Sequence, residues 1–137
     1  MPVENFFLEI VSDQRPFPIG LDANGRSMFS CNYSAIGRGP VTNWEESIVA
    51  LLSAASLSTP GVDTFIGRLP VVSGNGPYIL IMDTGGNPTD ITHDDRIYEH
   101  LSAQIIVSGI NVITTRERAL AIWRQIDNTR NITVSLP

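Results

Sequence analysis

Hydrophobic and polar positions along the chain fall into two periods. Val3 to Val11 is dense in Phe and β-branched residues and reads as a strand; Gln14 to Gly20 then brings in two prolines and reads as an extended arm. Asp22-Ala23-Asn24-Gly25 is a turn. From Arg26 to Ile36, Phe29, Cys31, Tyr33 and Ala35 alternate with Met28, Ser30, Asn32 and Ser34, a strand with one aromatic face that Gly37-Arg38-Gly39-Pro40 breaks. Thr42 and Glu45 then have capping-box spacing, and Trp44, Ile48, Leu51, Leu52 and Ala55 recur at i, i+4, i+7, i+8 and i+11, which predicts a helix ended by Thr59-Pro60-Gly61.

Strands are expected at Thr64 to Leu69 and Tyr78 to Asp83, joined through Ser73-Gly74-Asn75-Gly76-Pro77 as an antiparallel pair. The polar stretch Gly85 to Arg96 reads as a loop long enough to be a contact arm. Tyr98 to Ser108 sets Leu101, Ala103, Ile105 and Val107 against Ser102, Gln104, Ile106 and Ser108, a strand with one buried side that Gly109 releases. Its outer side has no predicted cover, so it reads as an edge strand. Thr114 and Glu117 suggest a second capping box, and Ala119, Ile122, Trp123 and Ile126 form a second helical stripe that Asn128 closes. Arg130 to Leu136 alternates again as a last strand. The fold class expected is α+β: a single mixed, largely antiparallel β-sheet packed against two amphipathic helices. The 137 residues suit one domain, with 1–40 a strand and arm segment and 41–137 the core.

Apolar types make up 42% of the chain and charged types only 17%, below the usual quarter, so some surface is expected to meet protein rather than water. Fourteen acids against nine bases give a formal −5, which argues against attraction to nucleic acid. All nine bases are arginine, whose planar fork suits defined carboxylate pairs at interfaces, although compositional drift would also remove lysine. Cys31 is alone and cannot form an internal disulfide, which fits a reducing cytosol. No secretory pattern opens the chain and no apolar run reaches the ~18 residues of a membrane span, so no membrane association is expected. The sequons at Asn32 and Asn131 carry no weight without a secretion signal.

Candidate chemistry is sparse. Ile81-Met82-Asp83-Thr84-Gly85 resembles the catalytic loop of retroviral-type aspartic proteases, in which two chains each supply one aspartate and the pair shares a proton. Phe65-Ile66-Gly67-Arg68 resembles that family's flanking apolar-Gly-Arg segment, but it precedes the loop instead of following it. The other reading of Asp83-Thr84-Gly85 is a strand end and turn. His93, Asp94, Asp95 and His100 lack the spacing of a metal site, Asp22-Ala23-Asn24-Gly25 lacks the later glutamate of a calcium loop, and Gly37-Arg38-Gly39-Pro40 lacks the P-loop ending. No nucleophile has an obvious partner, so no catalytic residue, metal or cofactor is assigned.

Thr64-Phe65-Ile66-Gly67-Arg68-Leu69-Pro70, then Asp83-Thr84-Gly85-Gly86-Asn87-Pro88, then a strand and the helix around Arg118 to Ile126, together resemble the tail terminator or minor capsid proteins of long-tailed bacteriophages. The likeness spans Trp44 to Ile126, and the order of the short motifs is more specific than any one of them. Family members often end in a Pro-x-x-Leu-Gly-x-Asp-x-x-Gly-Arg segment followed by an Asn-aromatic pair. Here the counterpart, Pro16 to Arg26 with Asn32-Tyr33, lies near the start. Either the element order is circularly permuted or that part is coincidence, and permutation predicts that the strands holding Val3 and Leu136 are neighbours.

The resemblance implies a non-enzymatic virion protein at the head-tail junction, assembled in the host cytoplasm. It would be a homo-oligomer, a hexamer, that caps the tail tube protein, stops its polymerisation and docks the head-completion connector protein. Genomic DNA would pass through the lumen without sequence-specific binding; six copies at −5 carry a formal −30, which would repel phosphate. The candidate subunit and partner contacts are Pro16 and Phe17 on the arm, Gly86, Asn87, Thr89, Asp90, Asp94 and Arg96 on the loop, and Tyr98 and Gln104 on the strand. The reading from a different class is a homodimeric aspartic protease built on Asp83-Thr84-Gly85.

Overall fold

The computed structural model describes residues 4–23, 25–38, 44–57, 59, 62–68, 74, 76–85, 90–91, 97–126 and 129–136, with only the backbone given at both ends of the chain and around residues 90–99. The elements run β1 (Glu4–Ser12), β2 (Phe17–Leu21), β3 (Ser27–Arg38), α1 (Trp44–Ala54), β4 (Thr64–Ile66), β5 (Tyr78–Gly85), β6 (Asp90–Ile91), β7 (Ile97–Gly109), α2 (Val112–Ile126) and β8 (Thr129–Leu136). Eight strands form one sheet in the order β4-β5-β7-β3-β1-β8, with β2 also paired to β3 and β6 to β7. All pairings are antiparallel except β4 with β5. This is the α+β architecture that the alternating periods predict.

Both helices lie on one side of the sheet, α2 over β7, β3 and β1, and α1 over β5 and β4. Strand periodicity sends Phe29, Cys31, Tyr33 and Ala35 of β3, Ile79 and Ile81 of β5, and Ala103, Ile105 and Val107 of β7 to that side, where all are buried. Ile48 and Leu52 of α1 and Ala119, Ile122 and Ile126 of α2 meet them. Small residues face large ones across the central pair, Tyr33 opposite Ala103 and Cys31 opposite Ile105, so the layer is level enough for α2 to lie close. Of Trp44 only the backbone is described; Trp123 is half-buried at the core's edge, where its indole N–H donates to the Ser12 hydroxyl at 2.8 Å.

Several expectations are corrected. Phe17–Leu21, expected as a free arm, is a strand on the β1 side of β3, and its Pro18 is tolerated because the strand's outer edge needs no ladder donor there. The polar stretch after Gly85 is not wholly loop, since Asp90 and Ile91 pair with Tyr98 and Ile97. Tyr98 to Ser108 is not an edge: β7 pairs with β3 along its full length and with β5 on its other side, which makes it central. The expected break at Gly37 and Arg38 falls two residues late, both remaining in the ladder.

The β4–β5 pair is parallel, Thr64 beside Ile79 and Ile66 beside Ile81. At Gly67 the backbone takes φ 79°, a left-handed conformation that glycine adopts without steric cost, and its N–H donates to the Ile81 carbonyl at 2.8 Å. Residues 67–77 carry the chain back before β5 starts, which makes the connection a crossover in place of a hairpin.

The helix ends also differ. α1 stops at Ala54, well before Pro60, because Ser56 takes φ 59° and the amides of Ser56 and Leu57 return to the carbonyls of Ser53 and Leu52. That is a Schellman ending with serine in the usual glycine position. The cap of α2 is Asn111, not Thr114: its side-chain oxygen accepts the amides of Ile113 and Thr114 at 3.0 and 3.2 Å. The Thr42 half of the first capping box and the Asn128 cap lie outside the described residues.

Candidate functional site

Since the helices cover one face, the alternate residues of each strand make a second face on which, among the described residues, no helix packs. Cross-strand register aligns it: Met28, Ser30, Asn32 and Ser34 of β3 lie opposite Ser108, Ile106, Gln104 and Ser102 of β7, and Leu80 and Met82 of β5 lie opposite Ile106 and Gln104. Val11 of β1 lies opposite Ser34, and Phe17 of β2 opposite Ser30. This surface is aliphatic, amide and hydroxyl. Its polar groups pair among themselves, the Gln104 amide donating to the Ser30 hydroxyl at 2.8 Å and Thr84 to Ser102 at 3.0 Å. Ser30 and Ser108 are buried although they face away from the core.

Charge is confined to the ends of this face and is internally matched. At one end Arg26, buried, holds Asp22 at 2.6 Å, lies 4.9 Å from the Tyr78 ring centre and donates to the Gly74 carbonyl. The clasp ties the β2–β3 turn to the segment leading into β5. At the other end His100 pairs in register with Ile36, and Glu9 occupies the register position on its far side.

The predicted contact residues are distributed differently. Gln104 and Phe17 lie on the open face. Pro16 is half-buried and closes a small cavity against Phe29, Cys31, Tyr33 and Ile122, so it packs inward. Asp90 and Tyr98 are placed by backbone alone, opposite each other. Gly86, Asn87, Thr89, Asp94 and Arg96 lie outside the described residues, as does His93.

Asp83 is exposed on the helix side of the sheet, and its carboxylate accepts the amide of Gly85 at 2.7 Å within its own turn. It neighbours Glu45 at the start of α1. Burial pushes the Glu45 carboxyl above its ordinary value, and Asp83 adds to the push by repulsion and by a hydrogen bond, with Glu46 contributing less. Cys31 is buried and free, its thiol donating to the Gln14 carbonyl at 3.0 Å. Among the described residues no group of three His, Cys, Asp or Glu side chains converges as for a metal ion, and no helix is long and apolar enough to cross a membrane.

One exposed feature escaped the sequence reading. Where β7 turns into α2, Ile110, Val112 and Ile113 stand exposed beside a notch of about 110 Å³ lined by Gly76, Pro77, Ile110, Asn111, Thr114 and Thr115. The unbroken apolar run Ile110-Asn111-Val112-Ile113 was its only signal in the sequence. In comparisons with known proteins, no family model, no curated protein and no solved structure matches this chain.

Proposed function

We propose that this chain is a structural virion protein, a tail terminator of a long-tailed bacteriophage that closes into a ring on the tail tube, halts its polymerisation and offers a docking face to the head connector. The observation that carries it is the antiparallel pairing of β1 with β8, with Glu4 opposite Leu136. A circularly permuted order of the family's elements requires that adjacency, and it supports extending the motif resemblance of Trp44 to Ile126 to the displaced Pro16 to Arg26 segment. The uncharged sheet face agrees with it: a surface of serine, amide and aliphatic side chains suits cover by sister subunits. Gln104 and Phe17 are its contacts, and the residues between Gly85 and Arg96 reach toward the tube or connector.

Electron microscopy of phage tails made with and without the chain tests this. The expected result is a ring at the head-proximal end of each tube when the chain is present, and overlong tubes when it is missing. Tubes of normal length in its absence would overturn the reading. A peptidase activity lost in Asp83→Asn with the fold intact would replace it by the protease.

A further inference from the structure

A closed ring of identical subunits needs two different patches on each copy, because a patch that pairs with itself makes a two-fold dimer and stops there. The molecule has two exposed apolar features, and they are not the same surface. The first is a ridge on the open sheet face. Val11 and Ile36, 44% and 45% exposed, are diagonal neighbours across the β1–β3 pair, since Val11 lies opposite Ser34 and Ile36 opposite Glu9. The second is the corner where β7 turns into α2. There Ile110, Val112 and Ile113 are 48%, 43% and 64% exposed, and the register carries Leu21, 67% exposed, across Ser27 to Gly109, two strand spacings away.

We infer that the Val11–Ile36 ridge of one copy seats in the Ile110–Ile113 corner of the next, and that this head-to-tail contact builds the ring proposed above. Shape favours it: the corner holds the notch of about 110 Å³ over Pro77, room for one branched aliphatic side chain, and the ridge supplies two. Charge favours it too, because the notch is lined by Gly, Pro, Ile, Asn and Thr only, and the described β3 and β7 positions of the open face between Met28 and Ser102 carry no acid or base. A charged partner would leave its charges unmatched against either patch, whereas a second copy brings none.

Area is adequate. Six strands about 4.8 Å apart, with about seven residues each at about 3.4 Å, give a sheet face of roughly 650 Å². A standard interface takes about 800 Å² from each partner, so the face and its rim together suffice for one stable contact. The corner's four aliphatic side chains make a patch on the order of a few hundred Å², the size that marks interaction sites on monomers.

The experiment is a complementation between two surface variants, Ile36→Arg on the ridge and Ile113→Arg at the corner. Wild type is expected to run as a multimer in size-exclusion chromatography with light scattering. Each variant alone is expected at the 15.0 kDa of a monomer, with an unchanged circular dichroism spectrum. An equimolar mixture retains one intact ridge and one intact corner and is expected to stop at two copies of 15.0 kDa, about 30 kDa. Variants that assemble like wild type would overturn the contact and leave the ring standing. A mixture that stays monomeric would overturn the head-to-tail pairing, and a wild type that never assembles would overturn the ring and the contact together. Val11→Arg and Val112→Arg, on the same two patches, repeat the test if either first variant fails to fold.

Discussion

The side-chain amide of Gln104 on β7 donates to the hydroxyl of Ser30 on β3 at 2.8 Å, on the sheet face turned away from both helices. Ser30 is buried there with no apolar layer over it, so the face seals itself through its own short polar side chains. Such a surface can be covered by protein without burying unmatched charge, which is what an assembling subunit needs. Gln104→Ala is expected to remove this donor from a buried hydroxyl and cost about 1–2 kcal/mol in urea denaturation. An unchanged midpoint would show that the bond holds nothing in place.

Arg26 is the strongest electrostatic anchor described. Its Nε holds Asp22 at 2.6 Å, and both partners are largely removed from solvent. Removing one member of such a pair leaves the other charge without its match in a poorly solvated place. Arg26→Met is therefore expected to lose about 2–4 kcal/mol by denaturant unfolding, with the β2–β3 turn showing the first loss of amide-exchange protection.

Ser56 ends α1 in the left-handed region at φ 59°, where a Cβ is penalised. Ser56→Gly relieves that cost and gives back part of it as unfolded-chain entropy. The expected net gain is about 0.5–1 kcal/mol, read as a higher melting temperature. A loss would show that the serine side chain has a role in the turn.

The Glu45 carboxyl has a folded pKa raised above its unfolded value near 4.5, by burial first and then by Asp83. Above the folded value the native state bears the cost of holding that charge. As pH falls through the folded value toward 4.5 the native carboxyl takes up its proton first and the cost is relieved. Glu45→Gln keeps the shape and the capping ability and removes the charge. It is expected to stabilise the fold at pH 7 by about 0.5 kcal/mol or less, as the site is partly solvated, and to have no effect below pH 4.5. Equal effects at both pH values would exclude this origin.

Much of the layer structure was legible because burial on one side imposes a period. Ala103, Ile105 and Val107 alternate as a half-buried strand must, and Ile48 and Leu52 recur as a helix stripe must, and all five are core. Period says nothing about neighbours, which is why β7 reads equally well as an edge or as the centre. Turn residues at 73–77 signal a reversal without telling whether the chain has already crossed back, so β4 and β5 were expected antiparallel. Thr114-x-x-Glu117 is the more familiar cap spelling, yet Asn111 sits where its side chain reaches two free amides, and the β-branched Val112, Ile113, Thr114 and Thr115 that follow disguise a helix start. The notch at the α2 corner joins Pro77 to Ile110 and Thr114, residues whose proximity only the fold creates.

The central claim is that identical copies close on one another through an uncharged sheet face. Native mass spectrometry of the protein released from tails measures that directly. Six copies of 15.0 kDa, a particle of about 90 kDa, is the result predicted. A two-copy particle of about 30 kDa, with Asp83 of each copy facing the other across a two-fold axis, would contradict it.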